Sequence, residues 1–281
     1  MIYPENVGKF ICIDEVSLSQ GELYTFITNK AGKGKQGTII ASIKGTKSKD
    51  IIEILKKIPK EKLSIVEEIT LDMAKNMELA VKTIFPNIKL VTDRFHVVKL
   101  VLEALQHIRI KYRWEAIEQE NNEIDIAKEH GNTYYIKVFE NGDTPKQLLA
   151  RSRYLLFKKE RNWTQNQHDR ARILFKEYPQ IKNAYKHSME LRSIYEQKTI
   201  VNAKDRFINW ISKSINMESN EFFTTAHTIY NNLDNILNFF KYRNTNANAE
   251  SFNAKIKLFR ANLRGVSDTS FFLFRLSKLF A

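Results

Sequence analysis

A chain of 281 residues, 43% hydrophobic and 27% charged, can bury a sizeable core and has the balance of an ordinary globular protein of one or two domains. Its net charge of +13 suits a polyanionic partner, nucleic acid or an anionic membrane surface. No apolar run reaches the ~18 to 20 residues of a membrane span, the opening MIYPENVGKF has no signal-peptide character, and the lone Cys12 excludes an internal disulfide and a Cys-based zinc site within one chain.

A cytosolic protein is therefore expected. Residues 1–93 carry 14 Lys and Arg against 12 Asp and Glu, whereas residues 94–281 carry 31 against 20, so the basic surface belongs to the second part.

In chain order, the β-branched run KFICI at 9–13 predicts a central strand with Asp14 at its carboxyl end and Cys12 as a buried thiol. LYTFITN at 23–29 and GTIIASI at 37–43 predict two more strands in a meander, joined by the Gly- and Lys-rich turn AGKGKQ. SKDIIEILKKI at 48–58 has helical spacing, with Ser48 as the expected N-cap and Pro59 as the stop. IVEEITLD then predicts a strand ending at Asp72, followed by a helix over 74–85 and a strand IKLV at 88–91, which leads to Thr92 and Asp93.

The order βββαβαβ is that of a ribonuclease-H-like α/β sheet, although many mixed sheets share it. Beyond residue 94 strand signals nearly vanish. Stretches such as DRFHVVKLVLEALQHIRIKYRW and HTIYNNLDNILNFFKYR predict a helical region of about 150 residues, the size of a domain.

Asp14 and Asp72 both fall where a strand ends, and the crevice at the carboxyl ends of parallel strands is the usual ligand site of open α/β sheets. Asp14 is preferred to Glu15 because neighbours on a strand point to opposite faces. Taken singly, Asp72 or Asp93 reads more readily as a helix N-cap than as a catalytic acid.

In NTNANAESFNAKIKLFRANLRG, Phe252, Ile256, Phe259 and Leu263 define a buried helix face. Glu250, Asn253, Lys257, Arg260 and Arg264 form another, a carboxylate followed by cations. This stripe fits a metal ligand with phosphate-holding side chains, and equally a solvated basic face with Glu250 complementing the helix dipole.

Three carboxylates have a chemical use. Hard divalent cations prefer oxygen ligands, and two ions about 3.5 to 4 Å apart stabilise both the attacking and leaving oxygens of a phosphodiester transfer. Trp114, Trp163 and Trp210, beside basic clusters such as RSRYLLFKKERNW, could stack on DNA bases, although core packing is the commoner use of such aromatics.

VGKFICIDEVSL, EITLDMAKNM, FPNIKLVTDRFHVVKL and NANAESFNAKIKLFRA, in this order, resemble the bacterial insertion-sequence transposases of the ISL-three family over nearly the whole chain. The resemblance implies a DDE-type catalytic core with Asp14, Asp72 and Glu250 as catalytic residues and metal ligands, using two Mg2+ with Mn2+ as a substitute. It adds Asp93 and His96 as an accessory pair and Arg94, Asn253, Lys257, Arg260 and Arg264 as DNA contacts.

The implied organisation is a ribonuclease-H-like first part at 1–100, a helical insertion at 101–243 between the second Asp and the Glu, and closing helices at 244–281. Its partner would be double-stranded DNA, transposon ends and target, bound by a homodimer or higher oligomer associated with the nucleoid. Full-length relatives carry an amino-terminal zinc-ribbon and helix-turn-helix portion, so a truncated gene or fragment is expected. A ribonuclease-H-like nuclease such as a junction resolvase, and a catalytically silent DNA-binding remnant, are the competing expectations.

Overall fold

The computed structural model describes residues 1–18, 22–242, 247–263 and 268–281, with the backbone alone at 242 and 247–250. The chain divides into two compact units, Met1–His96 with Asn232–Ala281, and Val97–Asn231. No helix among the described residues is long and apolar enough to cross a membrane.

The first unit is built on a five-stranded mixed sheet in the order β3-β2-β1-β4-β5. β1 (Phe10–Ser17), β2 (Leu23–Asn29) and β3 (Ile39–Lys44) form an antiparallel meander, while β4 (Glu68–Leu71) and β5 (Lys89–Thr92) extend the sheet parallel to β1. β1 therefore continues four residues past KFICI. Its parallel ladder with β4 ends at Cys12 and Thr70, but antiparallel pairing with β2 runs on through Asp14–Phe26 to Ser17–Leu23. Asp14 thus lies two residues beyond the parallel ladder yet inside the hairpin strand, which corrects its expected place at a strand end.

Alternation along β1 sorts two cores. Ile11 and Ile13 join Ile27, Ile69 and Leu71 in packing against α1 (Ser48–Leu55), the short α2 (Lys60–Leu63) and α3 (Lys75–Ile84), through Ile51, Leu55, Met77 and Val81. Ser48 opens α1, but the N-cap position belongs to Lys47, and no side chain bonds there. On the opposite face, Val16, Tyr24, Phe26 and Ile39 pack against Phe252, Ile256, Phe272 and Leu276. Burying four such large side chains contributes on the order of 8 kcal/mol before entropy.

The second unit is helical. α4 (Arg94–Glu129) starts at the end of β5, and its first three residues belong to the first unit. α5 (Pro145–Arg151), α6 (Arg153–Phe157), α7 (Gln165–Glu177), α8 (Pro179–Ile194), α9 (Ile200–Ile215) and α10 (Asn220–Asn231) complete the second unit. The fully buried Trp210 lies in its core, its ring stacked 4.5 Å from that of His187. Trp163 is half-buried, donating its indole N–H to the Leu155 carbonyl, whereas Trp114 is 64% exposed.

The sequence HTIYNNLDNILNFFKYR is not one helix. It breaks at Asn232 and Asn238 into the end of α10, α11 (Leu233–Leu237) and α12 (Phe239–Tyr242), with the Asn238 amide donating to the Leu90 carbonyl of β5. Asparagine competes with the helix for backbone partners. α13 (Ala247–Asn262) and α14 (Thr269–Phe280) follow; Asp268 caps α14 by accepting from the Ser270 and Phe271 N–H groups.

Candidate active site

The ladders place three aspartates at one level. Cys12 registers with Thr70, and Thr70 with Val91, so Asp14, Asp72 and Asp93 each stand two residues beyond one row of three adjacent parallel strands. Each comes from a strand whose apolar residues are locked in the core, so the acids end at the same edge by geometry rather than by sequence proximity.

Their side chains are held differently. Asp72 Oδ1 accepts from the Ala74 N–H at 2.7 Å, shaping the turn into α3. Asp93, 5% exposed, accepts from the Phe95 N–H at 3.1 Å, as expected of a residue starting a helix, and its other oxygen lies 4.0 Å from His96 Nε2. The same imidazole nitrogen lies 3.9 Å from Asp14 Oδ1. Asp14 Oδ1 also accepts from the Glu15 N–H at 2.8 Å, and Oδ2 accepts from the Asn253 amide of α13 at 2.5 Å.

Burial pushes the Asp14 carboxyl above its ordinary range, opposed by His96, the Glu15 N–H and Asn253, and reinforced by the charge of Asp93. Glu15 is also raised, by burial first and then by the charges of Asp72 and Asp14. The acids thus repel one another, and among the described residues no Lys or Arg forms an ion pair with Asp14. A crowd of oxygen donors at one level of the sheet fits a hard divalent cation. Among the described residues, however, no three His, Cys, Asp or Glu side chains are spaced to hold a metal ion.

The structure thus brings together Asp14, Asp93, His96 and Asn253, with Asp72 at the same level but joined to Asp14 by no hydrogen bond or ion pair. Glu250 lies on α13, one turn before Asn253, with its side chain outside the described residues, as is Arg264 altogether. Arg94 and Lys257 are exposed. The Arg260 guanidinium lies 5.3 Å from the Phe272 ring centre, packed on the hydrophobic face between α13 and α14 rather than extended into solvent. Sequence reasoning missed the Asn253 to Asp14 bond and the coupling of Glu15 to Asp72. The first had one signal, the shared stripe of residues 250 and 253; the second had none.

The family model described as a transposase, of the DDE type named for ISL3, matches residues 11–276. The chain belongs to the ISL3 family of DDE transposases. The match begins in β1 and ends in α14, spanning every acidic residue of the site and the whole helical unit. No curated protein matches the chain. A transposase binds DNA and acts on its strands, which accounts for the surplus of 45 Lys and Arg over 32 Asp and Glu.

Proposed function

We propose that this chain is the catalytic core of the transposase, carrying out divalent-metal-dependent DNA cleavage and strand transfer on a ribonuclease-H-like sheet. The observation that carries the reading is the row of Asp14, Asp72 and Asp93 just beyond the end of the parallel pairing of β1, β4 and β5. The sheet order β3-β2-β1-β4-β5, with a meander followed by parallel strands, supports the fold assignment. The helical unit is read as the insertion that separates the second Asp from Glu250.

Asp14, Asp72 and Glu250 would hold Mg2+ ions, or Mn2+ in their place, with Asp93 and His96 as accessory groups. Bound metal would supply Lewis-acid stabilisation of the attacking and departing oxygens. The protein side chains have their own tasks. Asn253 fixes one oxygen of Asp14, and the Glu15 N–H holds the other, so the carboxylate keeps one orientation when DNA arrives. His96, between Asp14 and Asp93, offers a donor to a phosphate oxygen at the same edge. Lys257 and Arg94 hold neighbouring phosphates and set the strand's register. Double-stranded DNA bound by a dimer in the cytoplasm is the corresponding working state.

The test is a supercoiled plasmid incubated with purified protein and Mg2+, beside an EDTA control and the Asp14→Asn, Asp72→Asn and Glu250→Gln variants. Nicking by the wild type alone is expected, and joined products with transposon-end DNA separate a transposase from a nuclease that only hydrolyses. Equal nicking by the three variants would sink the three-carboxylate site.

A further inference from the structure

The turn between β2 and β3 carries Lys30, Lys33 and Lys35 in the run KAGKGK. Lys33 and Gly34 both adopt left-handed conformations, at φ 51° and 69°, and Gly37 a third at 81°. Such a turn is held from outside. The Lys255 ammonium of α13 donates to the Gly34 carbonyl at 3.0 Å, and the Thr38 N–H donates to the Phe280 carbonyl at the end of α14 at 2.8 Å. A side chain on Gly34 would meet Lys255 Nζ at 3.1 Å and Phe252 at 3.5 Å, so the tip lies against α13 with no room to spare.

The lysines divide between two roles. Lys30 turns inward, its ammonium 3.2 Å from the buried Glu68 carboxylate, and serves the fold. Lys33 and Lys35 are exposed at the fixed tip, and Lys255 is exposed beside them with its ammonium pinned. Three cations on an ordered backbone lose less entropy on binding an anion than three on a loose loop would. Asn29, at the base of the tip, pairs with Ile11, three residues or ~10 Å along the strand before Asp14, so the tip stands farther still from the acids, toward the start of β1.

The geometry points to the β2–β3 tip and Lys255 as a phosphate-holding edge for DNA, gripping the duplex backbone at a distance from the acidic site. Its partner is the phosphodiester chain, recognised by charge without regard to base sequence. That the duplex held there is the one being cut rests on the catalytic reading above; that the edge binds DNA does not.

The experiment measures binding of a fluorescein-labelled 40-base-pair duplex of arbitrary sequence, in EDTA, across a range of salt concentrations. The variant combines Lys33→Asn, since Asn tolerates the left-handed backbone, with Lys35→Gln. The control combines Lys56→Gln and Lys60→Gln, exposed lysines on the sheet's other side. The tip variant should lose about 10-fold or more in affinity near ~0.1 M salt, and its plot of log K against log salt should flatten by about 2, one for each lysine. The control should keep the wild-type slope. Lys35→Gln alone should flatten it by about 1, which covers a misfolded double variant. A tip variant with the wild-type slope, or a control that flattens equally, overturns the assignment. Failure of the wild type to nick DNA with Mg2+ would count against the catalytic reading and leave the salt slopes as they stand.

Discussion

The amide of Asn253 donates to Asp14 Oδ2 at 2.5 Å, joining α13 to β1 across 239 positions of sequence. Phe252 and Ile256, buried on either side of it in sequence, seat the helix on the sheet, so the bond forms only when α13 is docked in this register. Glu250 stands one turn earlier on that helix.

Replacing Asn253 should therefore damage chemistry more than DNA binding. Asn253→Ala leaves Asp14 free to rotate, and a hydrogen bond to a charged group contributes about 1.5 to 3 kcal/mol, so the nicking rate at saturating DNA should fall about 10- to 100-fold with little change in duplex affinity. Asn253→Asp keeps the shape but sets two carboxylates face to face and should be at least as slow. Rates and dissociation constants measured on the same preparations check this. A raised dissociation constant with an unchanged saturated rate would make Asn253 a DNA contact instead.

How much of this was legible in sequence differs by residue. The apolar runs around Ile11, Ile13, Ile69 and Leu71 announced their strands, because a buried parallel strand needs near-continuous β-branched residues. The end of β1 was not legible: only its pairing with β2, through Glu15–Thr25 and beyond, carries the strand past Asp14. The partners of Asp14 were out of reach for a similar reason, since His96 lies 82 residues away and Asn253 lies 239. The helix breaks at Asn232 and Asn238 carried no Gly or Pro and depend on contacts such as that of Asn238 with β5.

His187 makes the helical unit sensitive to acid. Its ring stacks on Trp210, its Nε2 lies 2.6 Å from Ser214 Oγ, and burial pushes its pKa down to about 4, outweighing the nearby Glu190. The unfolded chain takes up the proton near the ordinary pKa of about 6.5, while the folded protein refuses it until about 4. The stability tied to the neutral ring is thus present above pH 6.5 and lost progressively as pH falls from there to 4, a loss on the order of 3 kcal/mol. Thermal melts of wild type and His187→Gln from pH 7.5 to 4 should show a shallower decline for the variant. Parallel declines would show that other groups govern the acid limb.

Asp143 is a buried charge in that unit, fully enclosed and bonded to Arg151 and Arg170. Burial alone would raise its carboxyl, but the two guanidinium groups more than compensate and hold it below the usual range. Removing the shared acceptor strands Arg170, which is largely covered, so Asp143→Ala should cost about 3 kcal/mol. Arg151→Ala removes the more exposed partner and should cost about 1 kcal/mol or less. Urea denaturation of both variants gives the comparison, and equal losses would mean that Asp143 does not act as the hub.

In the sheet, Lys30 and Glu68 form a largely buried ion pair. The Glu68 side chain is almost wholly buried, one of its oxygens lacks a hydrogen-bond partner, and the other lies 3.2 Å from the Lys30 ammonium. Lys30 also donates to the Thr70 hydroxyl. Lys30→Met would leave a buried carboxylate without its cation and should cost about 3 to 5 kcal/mol. Glu68→Leu should cost less, because the ammonium of Lys30 can reach solvent from the hairpin's base. The double variant replaces both charges with apolar groups in a β-rich core and should recover most of the Lys30→Met loss. The cycle of four melting curves yields the coupling directly. Additive losses would mean that Glu68 is stabilised mainly by its other neighbours, and that the inward turn of Lys30 serves chiefly to shape the tip where Lys33 and Lys35 stand.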